Sequence, residues 1–466
     1  MANKSKKIKH WITVLKKLLE NSIKEINEKN CIIEIWGLGY VGFPLAVRLA
    51  SENFLTYGVD KDPTKITRFK NHILVESELI LQEKFLESSK SGKIVFSNKV
   101  TDTKQTKISI ICVPTPIPNQ DISSYTYVKK AIDEILTKSK TGDSIIVESS
   151  IEVGTMDKIR EWISEKKFEV GKDIGLAFCP ERVDPLNTKW KLENIPRVIY
   201  CSDDQTFEIT KKIYFFVNHA NLVRVSSAKV AEVVKSFENA FRLVNISLVN
   251  ELAILCDKLE INVNDVIKSA STKPFGFMPF YTSAGVGGHC IPKDPKFLLE
   301  SAKKFGIKFD TLENALNVNA KLAPYISNII EKKISEYNLK KSVIICGMAY
   351  KPDIEDFRDS PGFRIFKELT NKGFKVTTYD PFFNNDLKEK YLKENHMEGV
   401  ELTTIDKLTN NYLKEFDCMC IVQHHTKDKF RINEIYVKSS IPLIYDCQSR
   451  LFPNNKSNTK LVQFGN

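Results

Sequence analysis

The segment Gly285–Pro295, which reads G-V-G-G-H-C-I-P-K-D-P, holds the residues best suited to covalent chemistry. Three glycines let the backbone approach a bound molecule closely, and Cys290 and Asp294 follow them four residues apart. A cysteine considered alone is usually a core residue. Because Cys290 lies in a segment rich in Gly and Pro, we interpret it as a candidate nucleophile. The adjacent His289 is expected to be structural, since neighbours in sequence usually point in different directions.

A second pair of polar residues falls within a long apolar pattern of helical period. Lys235 and Asn239 are four residues apart and would share one face of that helix. An ammonium and an amide placed together can stabilise a negatively charged oxygen. The helix pattern alone favours the alternative, in which both are solvated surface residues.

The glycine-rich run G-L-G-Y-V-G, Gly37–Gly42, follows an apolar strand and opens a helical pattern. Its glycines would permit a tight turn, close approach of the backbone to a pyrophosphate, and close helix–strand packing. Asp60 ends the next predicted strand, where a carboxylate can bind both ribose hydroxyls and repel a 2′-phosphate. The pattern therefore predicts a dinucleotide site that prefers NAD to NADP, with FAD left open by these residues alone.

The elements that must position these residues follow an α/β pattern at both ends of the chain. Apolar runs predict strands over Cys31–Trp36, Thr56–Asp60, Ile108–Val113, Ser144–Glu148, Ser342–Cys346, Lys375–Tyr379, Cys418–Val422 and Ile441–Tyr445. Between the two groups, the sequence predicts a helix over Ser227–Leu259 and a loop over Thr272–Pro295. We therefore predict an α/β fold with two doubly wound, Rossmann-like domains joined by a long central helix and a helical middle domain.

The expected domain boundaries are 1–30 for an amphipathic helical extension, 31–204 for the dinucleotide-binding domain, 205–335 for the central helical domain and 336–466 for the C-terminal domain. Within the extension, apolar residues at helical spacing predict a helix over residues 8–29 that packs on the body or on a partner. Glu34 in the first strand is atypical of a buried strand.

Composition narrows the classes of protein that fit. The 466 residues carry a formal charge of +11, without a dense basic block that would indicate nucleic acid or a membrane surface. Ten cysteines are scattered, and Cys418 and Cys420 are interpreted as strand-packing residues rather than metal ligands. Without a signal peptide or a long apolar span, we expect a reduced, cytoplasmic protein with no membrane, nucleic-acid or metal partner.

Several ordered motifs resemble those of the UDP-glucose/UDP-N-acetylhexosamine 6-dehydrogenase family, and the resemblance runs from about Cys31 to the C-terminal region. The motifs are G-L-G-Y-V-G, C-V-P-T-P (Cys112–Pro116), E-S-S (Glu148–Ser150), C-P-E-R (Cys179–Arg182), K-S-F-E-N (Lys235–Asn239), G-G-H-C-I-P-K-D and G-M-A-Y-K-P-D-I-E-D-F-R (Gly347–Arg358). The resemblance overrides the structural interpretations of Cys290, Lys235 and Asn239.

The resemblance implies a four-electron oxidation of a primary alcohol at C6, with two molecules of NAD. Cys290 would hold the substrate covalently, first as a thiohemiacetal and then as a thioester that water hydrolyses. Lys235 and Asn239 would stabilise the negative oxygen, and Asp294 would act as a base or order the water. Glu181 matches a catalytic glutamate, and Ser150 stands where relatives often have a threonine that orders the same water.

The same resemblance implies binding roles. Residues expected at the cofactor are Gly37, Gly39, Tyr40, Val41, Gly42, Asp60, Thr115 and Arg358, and those expected at the substrate are Arg182, Phe277, Tyr281, Gly287 and Lys351. The C-terminal domain would bind the UDP moiety, and the central helix would form the core of a homodimer.

Three segments resemble the N-acetylhexosamine branch of the family: K-P-F-G-F-M-P-F-Y (Lys273–Tyr281), the sequence after Glu238, and N-I-P-R-V-I (Asn194–Ile199). UDP-N-acetylglucosamine is the first choice of substrate, while UDP-glucose and the N-acetylmannosamine or N-acetylgalactosamine epimers stay open. Thr282, Ser283 and Ala284 stand where relatives usually carry Pro-Gly-Pro, so we expect a more mobile loop. The alternatives to the four-electron enzyme are a two-electron hydroxyacid dehydrogenase and a non-catalytic nucleotide-sugar-binding paralogue.

Overall fold

The structure is a computed structural model that describes residues 20–116, 125–184, 187, 189–219, 221–383, 402–403, 410–438, 441–453 and 458–466. The chain forms two compact units, one up to Ser236 and one from Phe237 onward. Each unit is built around a largely parallel sheet. The predicted α/β class with two Rossmann-like sheets and a helical middle region is therefore confirmed.

The first unit contains an eight-stranded sheet in the order β3-β2-β1-β4-β5-β6-β7-β8, in which only the β6–β7 pair is antiparallel. Its strands are β1 Ile32–Trp36, β2 Leu55–Val59, β3 Ile94–Ser97, β4 Lys107–Ile111, β5 Asp143–Val147, β6 Ile174–Phe178, β7 Arg197–Cys201 and β8 Leu222–Arg224. The order reverses between β1 and β4, which is where open parallel sheets bind their ligands.

The second unit repeats this arrangement with a six-stranded parallel sheet in the order β11-β10-β9-β12-β13-β14. Its strands are β9 Ser342–Cys346, β10 Lys375–Tyr379, β11 Leu402–Thr403, β12 Cys418–Ile421, β13 Leu443–Asp446 and β14 Lys460–Gln463. Cys418 and Cys420 are fully buried strand residues, as the sequence predicted. Alternate residues of β9 enter separate apolar cores on the two faces of the sheet, as expected for a doubly wound fold.

Helices cover the sheets and fill the middle of the chain. They are α1 (residues 20–27), α2 Gly42–Ser51, α3 Pro63–Lys70, α4 Gln82–Lys90, α5 Thr126–Leu136, α6 Thr155–Glu165, α7 Asp204–Val217, α8 Ala228–Leu259, α9 Val263–Ala270, α10 Asp294–Lys304, α11 Asp310–Glu336, α12 Pro361–Asn371, α13 Asn410–Leu413 and α14 Lys429–Lys438. Residues 20–27 of the predicted N-terminal helix are helical and bury Ile26, residues 28–29 form a turn, and residues 8–19 of that prediction lie outside the described residues.

The predicted loop over Thr272–Pro295 is two residues too long, because α10 begins at Asp294. Proline at the second position of a helix needs no backbone donor, so Pro295 favours this start rather than opposing it.

Glu34, which the strand pattern left unexplained, is fully buried and bonded. Its carboxylate accepts hydrogen bonds from the Trp36 indole (3.1 Å), the Ser109 hydroxyl (2.9 Å) and the Thr101 backbone N–H (2.6 Å). The Lys107 ammonium lies 3.9 Å away. A buried carboxylate is tolerated when donors surround it, so Glu34 ties β1 to β4 and to the segment that precedes β4.

The long helix α8 begins in the first unit and continues into the second. Among the described residues, α8 is the one helix long and apolar enough to pass a test for crossing a membrane, a test that core helices of soluble proteins also pass. Its buried polar residues bond to neighbouring elements. Glu232, for example, accepts the backbone N–H groups of Gly154 (2.7 Å) and Met156 (2.8 Å) at the start of α6.

Candidate active site

The turn between β1 and α2 has the geometry that a bound dinucleotide requires. Gly37 has a φ of +95°, and a Cβ atom there would lie 2.8 Å from the Cys112 carbonyl oxygen. A Cβ atom at Gly42 would lie 1.9 Å from the Gly37 carbonyl oxygen, so helix and turn pack too closely for any side chain. Gly39 instead faces open space, which leaves room for a pyrophosphate beside the backbone.

Asp60 lies directly after β2 and is nearly buried, at 8% exposure. Its carboxylate accepts the Leu38 N–H (2.8 Å) and the Asp62 N–H (3.0 Å), so it also fixes the glycine turn. A carboxylate offers about four acceptor positions; Leu38, Asp62 and Lys65 occupy three of them, which leaves one for a ribose hydroxyl. Lys65, which sequence reasoning missed, donates to the same carboxylate at 2.8 Å. The residues present therefore fit NAD, although Lys65 weakens the repulsion expected against a 2′-phosphate.

Beneath the carboxyl ends of the central strands lies a buried charge network. Arg197 on β7 is fully buried, and its Nη2 lies 3.0 Å from a Glu148 carboxylate oxygen and 3.1 Å from a Glu181 carboxylate oxygen. It also donates to the Cys179 carbonyl at 3.2 Å. The Tyr214 hydroxyl donates to the other oxygen of Glu148. Burial raises the pKa of the Glu148 carboxyl, and the Arg197 charge opposes that rise.

Glu181 is held at three points. One carboxylate oxygen accepts the N–H groups of Arg182 (2.6 Å) and Val183 (2.7 Å), while the other faces Arg197. The ammonium of Lys235 donates to the Glu181 backbone carbonyl at 2.6 Å. The first unit thus brings Glu181, Arg182 and Lys235 together. Ser150 lies three residues beyond the end of β5 and is half-buried.

In the second unit, Cys290 lies in the turn that leads into α10. All ten cysteines lie in the described residues, and Cys290 alone is exposed. Its carbonyl accepts the N–H groups of Lys293 (3.2 Å) and Asp294 (2.8 Å), which fixes the turn. The thiol is accessible, and Cys290 lies four residues before the first residue of α10.

Asp294 is completely buried beside that turn. One carboxylate oxygen accepts the Asn239 amide at 2.6 Å. The other, Oδ1, lies 3.4 Å from the Lys293 ammonium and has no hydrogen-bond partner among the described residues. Such an oxygen in a polar setting is suited to bind a water molecule.

His289, adjacent to the thiol, is neutral. Burial and the nearby cations Lys293 and Arg358 lower the pKa of His289 to about 3.

The glycines of the cysteine loop pack against residues 350–359 of the same unit. Cβ atoms at Gly287 and Gly288 would lie 2.6 Å from the Asp359 carbonyl and from the Tyr350 ring, respectively. The Gly288 N–H also donates to the Arg358 carbonyl at 2.9 Å. Arg358 itself pairs with Asp356 through Nε at 2.9 Å.

The sequence matches known proteins over most of its length. The models of the UDP-glucose/GDP-mannose dehydrogenase family match through the NAD binding domain (residues 31–218), the central domain (229–321) and the UDP binding domain (344–453). The chain belongs to this family. It is accordingly an NAD-dependent nucleotide-sugar dehydrogenase, and its substrate is a UDP-sugar.

Individual relatives and solved structures agree. The UDP-N-acetyl-D-mannosamine dehydrogenase of Methanococcus vannielii is 32% identical over 457 residues, which cover 95% of this chain and 98% of that protein. The UDP-N-acetyl-D-glucosamine 6-dehydrogenase of Salmonella typhi is 30% identical over 367 residues, 77% of this chain and 84% of that protein. The structure of the UDP-D-ManNAc dehydrogenase from Pyrococcus horikoshii superposes with a TM-score of 0.81 at 27% identity, covering 93% of this chain and 99% of that one.

The remaining residues expected in this family member's sites occupy varied environments. Thr115 is buried and Tyr40 is 48% exposed in the first unit, whereas Phe277 and Tyr281 are 42% and 61% exposed in the second. Arg182 donates to the Pro196 carbonyl at 2.7 Å, and Lys351 follows the Tyr350 that packs on the cysteine loop.

Sequence reasoning missed Arg197 as a functional residue, although a signal was present. Arg197 stands in a strand of otherwise apolar residues, and a charge in a buried strand requires a partner of opposite charge. Arg197 belongs to the segment N-I-P-R-V-I, whereas its acidic partners Glu148 and Glu181 come from other motifs.

Proposed function

We propose that the enzyme oxidises the C6 hydroxyl of a UDP-N-acetylhexosamine to the uronic acid, with Cys290 as the covalent nucleophile. The observation that carries the proposal is the exposure of Cys290 alone among ten cysteines, four residues before a buried aspartate. An accessible thiol is required for attack on a substrate carbonyl. A two-electron hydroxyacid dehydrogenase needs no thiol, so this feature favours the four-electron reaction.

When bound, NAD supplies the hydride acceptor for each of the two oxidation steps. The Cys290 thiolate adds to the C6 aldehyde carbon and gives a thiohemiacetal, whose oxidation leaves a thioester. Water then adds to the thioester carbonyl, the carbon–sulfur bond breaks, and the thiolate and the sugar carboxylate are released. The sum is one alcohol, two NAD⁺ and one water giving one carboxylate, two NADH and three protons. The covalent bond to sulfur retains the aldehyde while the first NADH is exchanged.

The contacts of the polar side chains support specific roles in these steps. Lys235 uses a hydrogen bond to the Glu181 carbonyl to fix its ammonium, and a lysine has three donors in all. Asn239 donates to Asp294 through one of two amide hydrogens. We assign both to the negative oxygen of the tetrahedral states. Asp294 would orient the hydrolytic water through Oδ1. Ser150 would take the water-ordering role of the threonine that relatives often carry, and Glu181 the role of the catalytic glutamate.

Among the candidate substrates, we would test UDP-N-acetylmannosamine first. Relatives named UDP-N-acetyl-D-mannosamine dehydrogenase match 95% of the chain in M. vannielii and 78% in Methanococcus aeolicus, at 32% and 35% identity. The S. typhi relative supports UDP-N-acetylglucosamine, the first choice from sequence, as the second candidate. UDP-glucose and the galacto epimer complete the panel.

One assay tests the proposal against its alternatives. Each UDP-sugar is incubated with excess NAD, and NADH is measured by absorbance while the sugar nucleotide is quantified by chromatography. Two NADH per sugar are expected. One NADH per sugar would instead establish a two-electron dehydrogenase, and none with any sugar would establish a non-catalytic binding protein.

We further propose that the enzyme is a homodimer assembled through α8. Within the second unit, five large apolar side chains of α8 are exposed at spacings of four and seven residues: Phe237, Phe241, Leu248, Leu255 and Leu259. An exposed apolar stripe of this length is typical of an interface. Leu248→Glu should convert the dimer to a monomer in light scattering, whereas Phe305→Glu, at a residue 81% exposed outside α8, should not. A monomeric parent protein would refute the proposal.

A further inference from the structure

We propose that Asn319 and Asn250 are positioning residues that hold the backbone of the cysteine loop and thereby place the Cys290 thiol for attack. The inference deepens the proposed function, and it rests on Cys290 being the nucleophile. It concerns the segment Thr282–Val286, which lies between two helices and runs directly into the glycines before Cys290.

Asn319, in the middle of α11, binds both backbone groups of a single loop residue. Its Oδ1 accepts the Val286 N–H at 2.7 Å, and its Nδ2 donates to the Val286 carbonyl at 3.3 Å. The side chain is 7% exposed, so solvent does not compete strongly for these bonds. Arg364 of α12 also donates to the Val286 carbonyl, at 3.4 Å, and so supports the same position.

Asn250 of α8 fixes the other end of the segment. Its Oδ1 accepts the Ser283 N–H at 3.0 Å, and the side chain is 1% exposed. Ser283 and Val286 are three residues apart, so one amide holds each end of this short stretch. Two buried amides bonded to backbone groups specify the path of the chain where Thr282–Ala284 provides no proline to restrict it.

Gly285 is matched to this arrangement. It has a φ of +117°, which side chains rarely adopt, and a Cβ atom there would lie 2.8 Å from the Asn319 Oδ1. The glycine therefore allows both the backbone conformation and the approach of the amide. A substitution at Gly285 should act on the loop through the same contact that a substitution at Asn319 removes.

Between Val286 and Cys290 the chain has little freedom to absorb a displacement. Gly287 and Gly288 pack against Asp359 and Tyr350, and the Gly288 N–H is bonded to the Arg358 carbonyl. On the C-terminal side of this stretch, the Cys290 carbonyl accepts a hydrogen bond from the Asp294 N–H. A shift of the backbone at Val286 would therefore be transmitted to the thiol, and a displacement of 1 Å at a reacting atom can cost on the order of 100-fold in rate.

The first experiment compares Asn319→Ala with Asn317→Ala by steady-state kinetics with NAD and the UDP-sugar that the parent oxidises best. Asn317 is a matched control because it is the same residue type on the same helix and is exposed. For Asn319→Ala we expect kcat to fall by about 10- to 100-fold, with KM and the affinity for UDP within about threefold of the parent. Asn317→Ala should leave kcat unchanged. Equal kcat for both variants, or a change confined to KM, would overturn the proposal.

Asn250→Ala provides a second variant that removes a different hydrogen bond from the same segment. It should reproduce the pattern of lower kcat with unchanged UDP affinity, and it keeps the proposal testable where Asn319→Ala does not fold. Parent-like kcat in folded Asn250→Ala would overturn the role of Asn250 and the proposal as stated.

A double-mutant cycle with Gly285→Ala tests whether the two sites act through one contact. Gly285→Ala should lower kcat in the parent, because the new Cβ meets the Asn319 amide. In the Asn319→Ala background that amide is absent, so adding Gly285→Ala should cost at least about threefold less than it does alone. Strictly multiplicative losses in kcat would show that Gly285 and Asn319 act independently, and would refute the proposal that Asn319 holds the loop through this contact.

A measurement without substrate separates this inference from the proposed function. Iodoacetamide should alkylate exposed Cys290 first, and mass spectrometry of the peptide gives the rate. Asn319→Ala should change that rate by at least about threefold, and Asn317→Ala should not. A parent protein that forms no NADH would refute the proposed function, but the alkylation rates would still test whether Asn319 positions the cysteine loop. Identical alkylation rates in all three proteins would refute the positioning role of Asn319 and leave the proposed function standing.

Discussion

Replacing Arg197 by methionine tests the buried network beneath Glu181. Arg197 is fully buried, and a single nitrogen lies 3.0, 3.1 and 3.2 Å from oxygens of Glu148, Glu181 and Cys179. Removing one partner of a buried ion pair leaves an uncompensated charge and typically costs about 3–5 kcal/mol. At roughly 2–4 °C per kcal/mol for a unit of this size, the melting temperature of Arg197→Met should fall by about 6–20 °C.

Two further variants make this prediction specific. Arg224→Met removes an arginine whose ion pair with Asp204 is largely exposed, so it should cost less than about 1 kcal/mol. Adding Glu148→Gln to Arg197→Met removes one of the two stranded carboxylates and should recover part of the loss. Thermal unfolding of the three variants and the parent, measured by tryptophan fluorescence at one protein concentration, gives the comparison.

The deficit of Arg197→Met should also depend on pH in a defined direction. Burial raises the pKa of Glu148, and loss of the Arg197 charge raises it further. The folded state then keeps a proton on Glu148 that the unfolded state releases, so stability is lost as the pH rises above 4.5, the ordinary pKa of a glutamate. The melting-temperature deficit should therefore be larger at pH 8 than at pH 5. A deficit no larger than that of Arg224→Met, or one that shrinks as pH rises, would refute the reasoning.

Three other substitutions address the remaining site residues. Cys290→Ser should reduce acid formation to nearly nothing while UDP binding persists, because an alkoxide is far harder to form than a thiolate; turnover within a few-fold of the parent would exclude the covalent mechanism. Asp60→Ala should raise the KM for NAD and lower the preference for NAD over NADP, measured as the ratio of kcat/KM for the two cofactors. Lys65→Ala should raise that ratio. Equal kcat/KM for NAD and NADP in the parent would contradict the assignment of Asp60 to the ribose. His289→Gln should make unfolding less sensitive to acid, because the pKa of His289 falls from 6.5 to about 3 on folding. In the parent, the free energy of unfolding should fall as the pH drops from 6.5 toward 3, by up to about 2 kcal/mol at pH 5. If chemical denaturation shows the same loss between pH 8 and pH 5 in the parent and in His289→Gln, His289 is not the cause of the acid sensitivity.

Sequence patterns predicted eight of the fourteen described strands, because buried parallel strands are continuous apolar runs. They missed the edge strands β3, β8, β11 and β14; Val95 in β3 and Val223 in β8 are exposed, so no continuous buried run marks those two. They also missed the internal strands β6 and β7, although both are buried apolar runs apart from Gly175 and Arg197. The glycine turn and Asp60 were predictable because their spacing is local. Lys65 was not singled out, because only the fold shows that its ammonium reaches the Asp60 carboxylate.

The site in the second unit shows a different limit. The cysteine loop was recognised from its own residues, but the residues that hold it lie 33 positions away on α8 and α11. Asn250 and Asn319 sit in helical patterns in which a polar residue is usually solvent-facing, and no local rule indicates that their side chains bond to a loop backbone. Such contacts are defined by tertiary packing, which spacing along the chain does not encode.

The environment of Asp294 bears on which step of the reaction it serves. Asn239 donates to one carboxylate oxygen and Lys293 lies 3.4 Å from the other, so two groups that stabilise negative charge face this buried residue. The oxygen nearest Lys293 has no hydrogen-bond partner among the described residues, so it can accept a hydrogen bond from water. This geometry favours a role for Asp294 in orienting water for thioester hydrolysis. Asn239→Asp would place two carboxylates within hydrogen-bond distance, where they would share a proton, so the pH profile of acid formation should differ from that of the parent while the pH profile of UDP binding should not. A variant with the pH profile of the parent would place Asp294 outside the hydrolytic step.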